Sequence, residues 1–217
     1  MPGETKHAPQ ADNGQKKYER GVKARFYQYF RITSAFLYAA LVARWAILYP
    51  LVGSKFLPGG IHEFLCYLMV YAGTLEMVWS FVFHGLKRTL FSRTMLKNTN
   101  LLYFVSVLHF YDDFEHAPVL KSEAYSSFIV ALGLSQTYCH WCKLFRSPKY
   151  KRKTLLQKLD TFATLPVLYL SEGYLLLLNL QTPNFHTNAW LQIVNKTVLV
   201  AFIPICLHSL KKQVATQ

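Results

Sequence analysis

The residue in this chain best placed to do chemistry is Glu172, which lies in the middle of a long apolar run. The run extends from Phe162 to Leu180, and Glu172 is the single charged residue within it. A stretch of this length is about long enough to span a bilayer as a helix. A carboxylate at the centre of such a helix is costly unless it faces a cavity or a partner. Glu172 is therefore a candidate catalytic residue, and a structural hydrogen bond to a neighbouring helix is the alternative.

Tyr169 is the titratable side chain nearest to Glu172 on the same predicted helix face. The two residues are three positions apart, which places them roughly 60° apart around a helix and one turn apart along it. A phenol and a carboxyl group in an apolar pocket can act as an acid–base pair. Aromatic packing is the alternative for Tyr169. Pro166, between the start of the run and Tyr169, predicts a kink.

The elements that must position these residues are predicted to be membrane helices. The chain has 217 residues, of which 52% are hydrophobic, and the apolar residues form six runs that read as spanning helices. We expect an all-α integral membrane protein, a bundle of six transmembrane helices at about 26–50, 61–83, 98–111, 124–145, 159–180 and 189–210, with a turn at 57–60. The predicted domains are a disordered basic cytosolic arm (1–25), the membrane domain (26–210) and a short cytosolic tail (211–217).

The distribution of charge predicts how these helices are oriented. The net charge of +13 comes mostly from the N-terminal arm, the second and fourth connections and the C-terminal tail, whereas the third connection is acidic. Basic residues collect in loops on the cytosolic side of membrane proteins, so both termini are expected to be cytosolic. The same rule explains the basic balance without a nucleic-acid partner. The basic connection 146–153 could also contact anionic headgroups or a phosphate-rich ligand.

Other polar residues in the apolar runs are interpreted as structural. Arg44 and Glu76 are predicted to pair between neighbouring helices, because pairing lowers the cost of burying either charge. Cys139 and Cys142 have the CxxC spacing, but they lie in a predicted spanning helix without a second Cys/His pair at ligand spacing. They are interpreted as small packing residues. We predict no metal site.

The segment from Leu165 to Glu172 carries a family resemblance. Its sequence, Leu-Pro-Val-Leu-Tyr-Leu-Ser-Glu, resembles the Tyr-Pro-x-Gly-x-x-Ser-Glu signature of the very-long-chain (3R)-3-hydroxyacyl-CoA dehydratases, also called protein-tyrosine-phosphatase-like A proteins. Pro166, Ser171 and Glu172 match the signature. Shorter similarities occur in the same order along residues 26–212. The chain is identified on this basis as a divergent member.

The resemblance implies elimination of water from a 3-hydroxyacyl-CoA to give the trans-2-enoyl-CoA during fatty acid elongation, in the endoplasmic reticulum membrane and without a cofactor. It places Glu172 at the family's catalytic Glu and Leu165 at its catalytic Tyr. A leucine cannot transfer a proton, so Tyr169 would have to act from one turn closer. The implied partners are a long-chain acyl-CoA substrate, membrane lipid and the elongation enzymes. The coenzyme A group would lie near the cytosolic residues Lys87, Arg88, Lys151, Arg152 and Lys153.

Two other functions stay open. Leu165 favours a catalytically inactive relative that binds acyl lipid or scaffolds the elongation complex. A small lipid transporter is a further alternative, although it would need polar groups along a path through the helices. Whether the protein is an enzyme is therefore left undecided by the sequence.

Overall fold

The computed structural model of the chain describes residues 11–90, 92–109, 119–145, 155–181 and 189–215. Every regular element in these ranges is helical, which confirms the all-α prediction. The elements are α1 (Ala11–His84), α2 (Leu86–Leu90), α3 (Arg93–His109), α4 (Glu123–Phe145), α5 (Leu155–Leu159), a π-helical segment (Asp160–Thr164), α6 (Leu165–Gln181) and α7 (Ala189–Ala215).

Helix α1 is bent into two arms, residues 11–52 and 54–84, by a corner at Gly53. This glycine has φ 69° and ψ 177°, which are non-helical values. Glycine adopts positive φ without the steric cost that a Cβ imposes, and this is why the chain turns here. The turn predicted at 57–60 was wrong in position, because those residues, Pro58 included, are helical. Helix α1 also begins at Ala11, inside the predicted arm 1–25.

Helix α4 occupies the centre of the bundle. It packs most extensively against α1 and next against α6, while α3 packs against α1 and α7 packs against α6. Gly133 allows α1 to approach closely, since a Cβ there would overlap the side chain of Val42 and lie 3.3 Å from the carbonyl oxygen of Tyr38. Between α3 and α4, the rings of Phe104 and Phe128 have centroids 4.4 Å apart. This packing sets the register of the helices around α4.

The helix that carries Glu172 contains an irregularity one turn before its proline. The N–H of Leu165 donates to the carbonyl oxygen of Asp160, five residues earlier, which is the π-helical pattern. Pro166 follows directly and has no N–H, and its ring crowds the carbonyl four residues before it. The wider π turn accommodates that crowding. The structure thus shows a π segment before Pro166, and the kink predicted there stays a prediction.

The exterior of the bundle is more apolar than a water-soluble surface would be. Leu155, Leu170 and Trp190 are 84%, 74% and 80% exposed, whereas Glu76 and Glu172 are buried. Large exposed apolar surfaces with polar groups inside are typical of proteins in lipid. Within the described ranges, three helices are long and apolar enough to cross a membrane: Gly21–His84, Leu155–Gln181 and Gln192–Lys211. The prediction of a membrane protein is confirmed, whereas the bundle of six spans stays a prediction.

Candidate functional site

Glu172 projects into the bundle, where it meets Asn100 of α3. The side chain of Glu172 is 2% exposed. The Asn100 amide Nδ2 donates to the Glu172 Oε1 atom over 2.5 Å, which joins α3 to α6. A polar bond between membrane helices is a common way to satisfy a buried acid. The geometry therefore matches the structural alternative that the sequence left open for this residue.

Tyr169 lies near Glu172 but bonds to a different helix. Its hydroxyl group is 3.4 Å from the Ser209 Oγ atom of α7, while the Glu172 carboxylate is held by α3. The neighbouring Ser171 donates to the carbonyl oxygen of Leu168 at 2.9 Å. The two predicted catalytic groups thus share one helix without forming a hydrogen-bonded acid–base pair.

A second polar cluster lies where α3 begins and α4 ends. The Lys97 Nζ atom is 2.7 Å from the Glu76 Oε2 atom and 3.2 Å from the Gln136 Oε1 atom. The Lys143 Nζ atom is 3.7 Å from the other carboxylate oxygen of Glu76. The predicted pair between Arg44 and Glu76 was wrong. The Arg44 guanidinium instead lies over the Phe64 ring, 5.7 Å from its centroid, because the corner at Gly53 turns the two arms of α1 against each other at other positions.

Arg31 and His140 extend this second cluster into the bundle. Both are buried, with 6% and 2% exposure. The His140 ring lies beside the rings of Phe30 and Tyr38, at centroid distances of 6.0 and 6.1 Å. It also interacts electrostatically with Arg31, Glu76 and both lysines. We call Arg31, Glu76, Lys97, His140 and Lys143 together the cationic cluster.

A third group of polar contacts fastens the start of α4 to the corner of α1. Three side-chain bonds make this connection: Trp45 Nε1 to Ser126 Oγ at 2.6 Å, Tyr49 hydroxyl to Glu123 Oε2 at 3.1 Å, and His62 Nδ1 to Tyr125 hydroxyl at 2.8 Å. Sequence reasoning missed this group. Its only signal was the recurrence of aromatic and polar residues along α1, which does not identify their partners.

Of the basic residues predicted to contact coenzyme A, the structure describes two. Lys87 and Arg88 lie exposed on α2, and Lys151, Arg152 and Lys153 fall outside the described residues. Cys139 and Cys142 are free thiols. In the part of the chain that the structure describes, no three His, Cys, Asp or Glu side chains are arranged to hold a metal ion.

Comparison with known proteins points away from acyl-CoA chemistry. The chain is 57% identical over 188 residues to the β-1,6-glucan synthesis-associated protein KEG1 of Saccharomyces cerevisiae. The match covers 87% of this chain and 94% of the relative. No protein-family model matches the chain, and no solved structure matches it.

The dehydratase resemblance was therefore wrong, and with it the predicted lyase function in fatty acid elongation, the acyl-CoA substrate and the elongation partners. The residues that matched its signature have local roles here. Ser171 bonds to its own helix and Glu172 bonds to Asn100. The catalytic role assigned to Tyr169 and the coenzyme A contacts assigned to the basic residues lose their support with the resemblance. With this identity over nearly the whole relative, the chain belongs to the family of the β-1,6-glucan synthesis-associated protein KEG1.

Proposed function

We propose that this protein is a membrane-embedded component associated with β-1,6-glucan synthesis. The observation that carries the proposal is the 57% identity to a protein associated with that synthesis, over 94% of the relative's length. Two chains so similar along their length share a fold. We therefore expect the two chains to form buried polar contacts at the same positions.

We further infer an accessory role in which the protein itself does no chemistry. A general acid or base needs a free proton-transfer group that can reach a substrate. The two buried carboxylates described above are instead bound within the bundle, Glu172 by Asn100 and Glu76 by Lys97 and Lys143. Such bonds hold helices in register, which suits a protein that stabilises or positions other membrane components.

The orientation in the membrane is part of the proposal. We infer six spans with both termini in the cytosol, the segments 1–25 and 211–217 as cytosolic ends, and residence in the endoplasmic reticulum membrane. The basic residues of the N-terminal segment, of the connections before α3 and before α5, and of the tail support this orientation. The corner at Gly53 supports two spans within α1. Protease protection of terminal tags in sealed microsomes tests the orientation, and co-fractionation with a lumenal marker tests the compartment.

Complementation tests the proposed function. The chain is expressed in S. cerevisiae cells depleted of KEG1, and alkali-insoluble β-1,6-glucan is measured. We expect glucan to be restored by the parent chain and by Tyr169→Phe, which keeps the ring. A chain that reaches the membrane at the relative's level and restores no glucan would overturn the proposal. A catalytic role for Glu172 would appear as loss of glucan in Glu172→Gln, because the amide keeps an acceptor for Asn100 but cannot transfer a proton.

A further inference from the structure

The cationic cluster has an uncompensated positive charge. Arg31, Lys97 and Lys143 contribute three formal positive charges and Glu76 contributes one negative charge, which leaves a formal charge of +2. Two of the cations already form ion pairs with the one carboxylate, so no acid remains within the cluster for Arg31. Charges removed from water are expensive unless they are paired. A cluster of this kind is stabilised by an added anion.

Buried nitrogen atoms without hydrogen-bond partners lie inside the same cluster. The Arg31 Nη2 atom donates to the Tyr27 hydroxyl, and the guanidinium lies 4.4 Å from the centre of that ring. The Arg31 Nη1 atom is buried and has no hydrogen-bond partner among the described residues, and the same is true of the His140 Nδ1 atom. Both side chains are more than nine-tenths buried. Buried polar atoms are rarely left unpaired in folded proteins, so these two atoms indicate a position for a bound group.

The cluster reaches the surface of the protein at its two lysines. The lysine side chains at its rim are 35% and 45% exposed, for Lys97 and Lys143 respectively. Lys97 lies in the second turn of α3, and Lys143 lies in the last turn of α4. The cluster draws its residues from four helical segments: the two arms of α1, which carry Arg31 and Glu76, and the helices α3 and α4. Lys97 and Lys143 thus bring the cluster to the ends of two helices, where charged groups of a membrane protein can reach water or lipid headgroups.

We propose that the cationic cluster binds a phosphate group, carried either by an anionic lipid headgroup or by a soluble phosphate compound. A phosphate monoester carries about −1.5 to −2 charges at neutral pH, which matches the formal charge of the cluster. The guanidinium fork fits phosphate oxygens, and ammonium groups bind them as point charges. This site is independent of the proposed role in glucan synthesis, and either can fail without the other.

Binding is tested on the full chain in phosphatidylcholine nanodiscs. In one arm, equilibrium dialysis measures the affinity for radiolabelled inorganic phosphate at constant ionic strength. In the other arm, phosphatidic acid is added to the nanodiscs, and native mass spectrometry measures how much of it the protein retains. If the protein binds inorganic phosphate and retains no phosphatidic acid, the ligand is a soluble phosphate compound. If it retains phosphatidic acid and binds no inorganic phosphate, the ligand is a lipid headgroup. If neither experiment detects binding, the proposal is overturned.

Variants of the cluster then connect binding to these residues. We expect Arg31→Gln and Lys143→Gln each to weaken binding roughly tenfold, the loss expected for one charge-assisted contact. Glu76→Gln should tighten it several-fold, because it removes the negative charge and keeps an acceptor for Lys97. Lys87→Gln, an exposed cation on α2, removes the same charge elsewhere and should change nothing. If Arg31→Gln does not fold, the half-exposed Lys143 carries the test. Equal binding by the Lys143→Gln and Lys87→Gln variants would refute the site.

Discussion

The bond between Asn100 and Glu172 predicts a measurable contribution to stability. Replacing Asn100 with leucine removes the amide donor that lies 2.5 Å from the carboxylate. Glu172 has an exposure of 2%, so water cannot replace the lost donor. We expect Asn100→Leu to leave a buried acid without its partner and to loosen the contact between α3 and α6.

The size of the effect follows from two terms. A hydrogen bond between membrane helices contributes about 0.6–2 kcal/mol, and a buried acceptor left without a donor costs about 1–3 kcal/mol. We therefore expect Asn100→Leu to lower the free energy of unfolding by about 1–3 kcal/mol. The double variant Asn100→Leu/Glu172→Leu removes both polar groups and should recover part of that loss. A coupling energy of about 1 kcal/mol is expected from the complete double-mutant cycle.

Unfolding of the protein in mixed micelles by increasing fractions of sodium dodecyl sulfate, followed by circular dichroism, measures these differences. Thr99→Leu is the matched control, because Thr99 is the preceding residue of α3 and its side chain is exposed. The reasoning is refuted if Asn100→Leu unfolds at the same detergent fraction as Thr99→Leu. It is also refuted if the two single variants add without coupling.

Three further predictions use the same unfolding assay. Gly133→Ala should destabilise by about 1–3 kcal/mol, because its Cβ would overlap Val42. Gly59→Ala is the matched control and should not destabilise the protein, because a Cβ there meets nothing within 4 Å. Equal unfolding midpoints for the two variants would contradict the close packing of α1 and α4. Lys97→Met should lower the free energy of unfolding by about 1–3 kcal/mol. This is less than the loss for a fully buried pair, because the lysine side chain is 35% exposed. The double variant Lys97→Met/Glu76→Leu should recover much of the loss. Tyr169→Phe should lower the free energy of unfolding by no more than about 0.6 kcal/mol, since the hydrogen bond to Ser209 is long at 3.4 Å. A larger loss would contradict the weak bond that this distance implies.

The predicted function failed together with the family resemblance, and the reason is physical. The signature matches at Pro166, Ser171 and Glu172 are residue types that any membrane helix uses for a bend, a backbone bond and an interhelical bond. Here they serve those purposes, with a π segment before the proline and bonds to Leu168 and Asn100. Three such matches, without the catalytic tyrosine, indicate a membrane helix with these structural features. They do not identify a reaction. The identity over 188 residues places the chain in a different family.

The sequence by itself determined that this is an all-helical membrane protein, since the length and apolarity of a run are local properties that set its hydrophobic burial. It also located the acid inside the helix 155–181. Only the tertiary structure decided which polar side chains pair with each other. Glu76 pairs with Lys97 where Arg44 was expected, and Glu172 pairs with Asn100. Those choices depend on the rotation and register of each helix, which are set by the corner at Gly53 and the close approach at Gly133. Such contacts join residues far apart in the chain, and no local pattern encodes them.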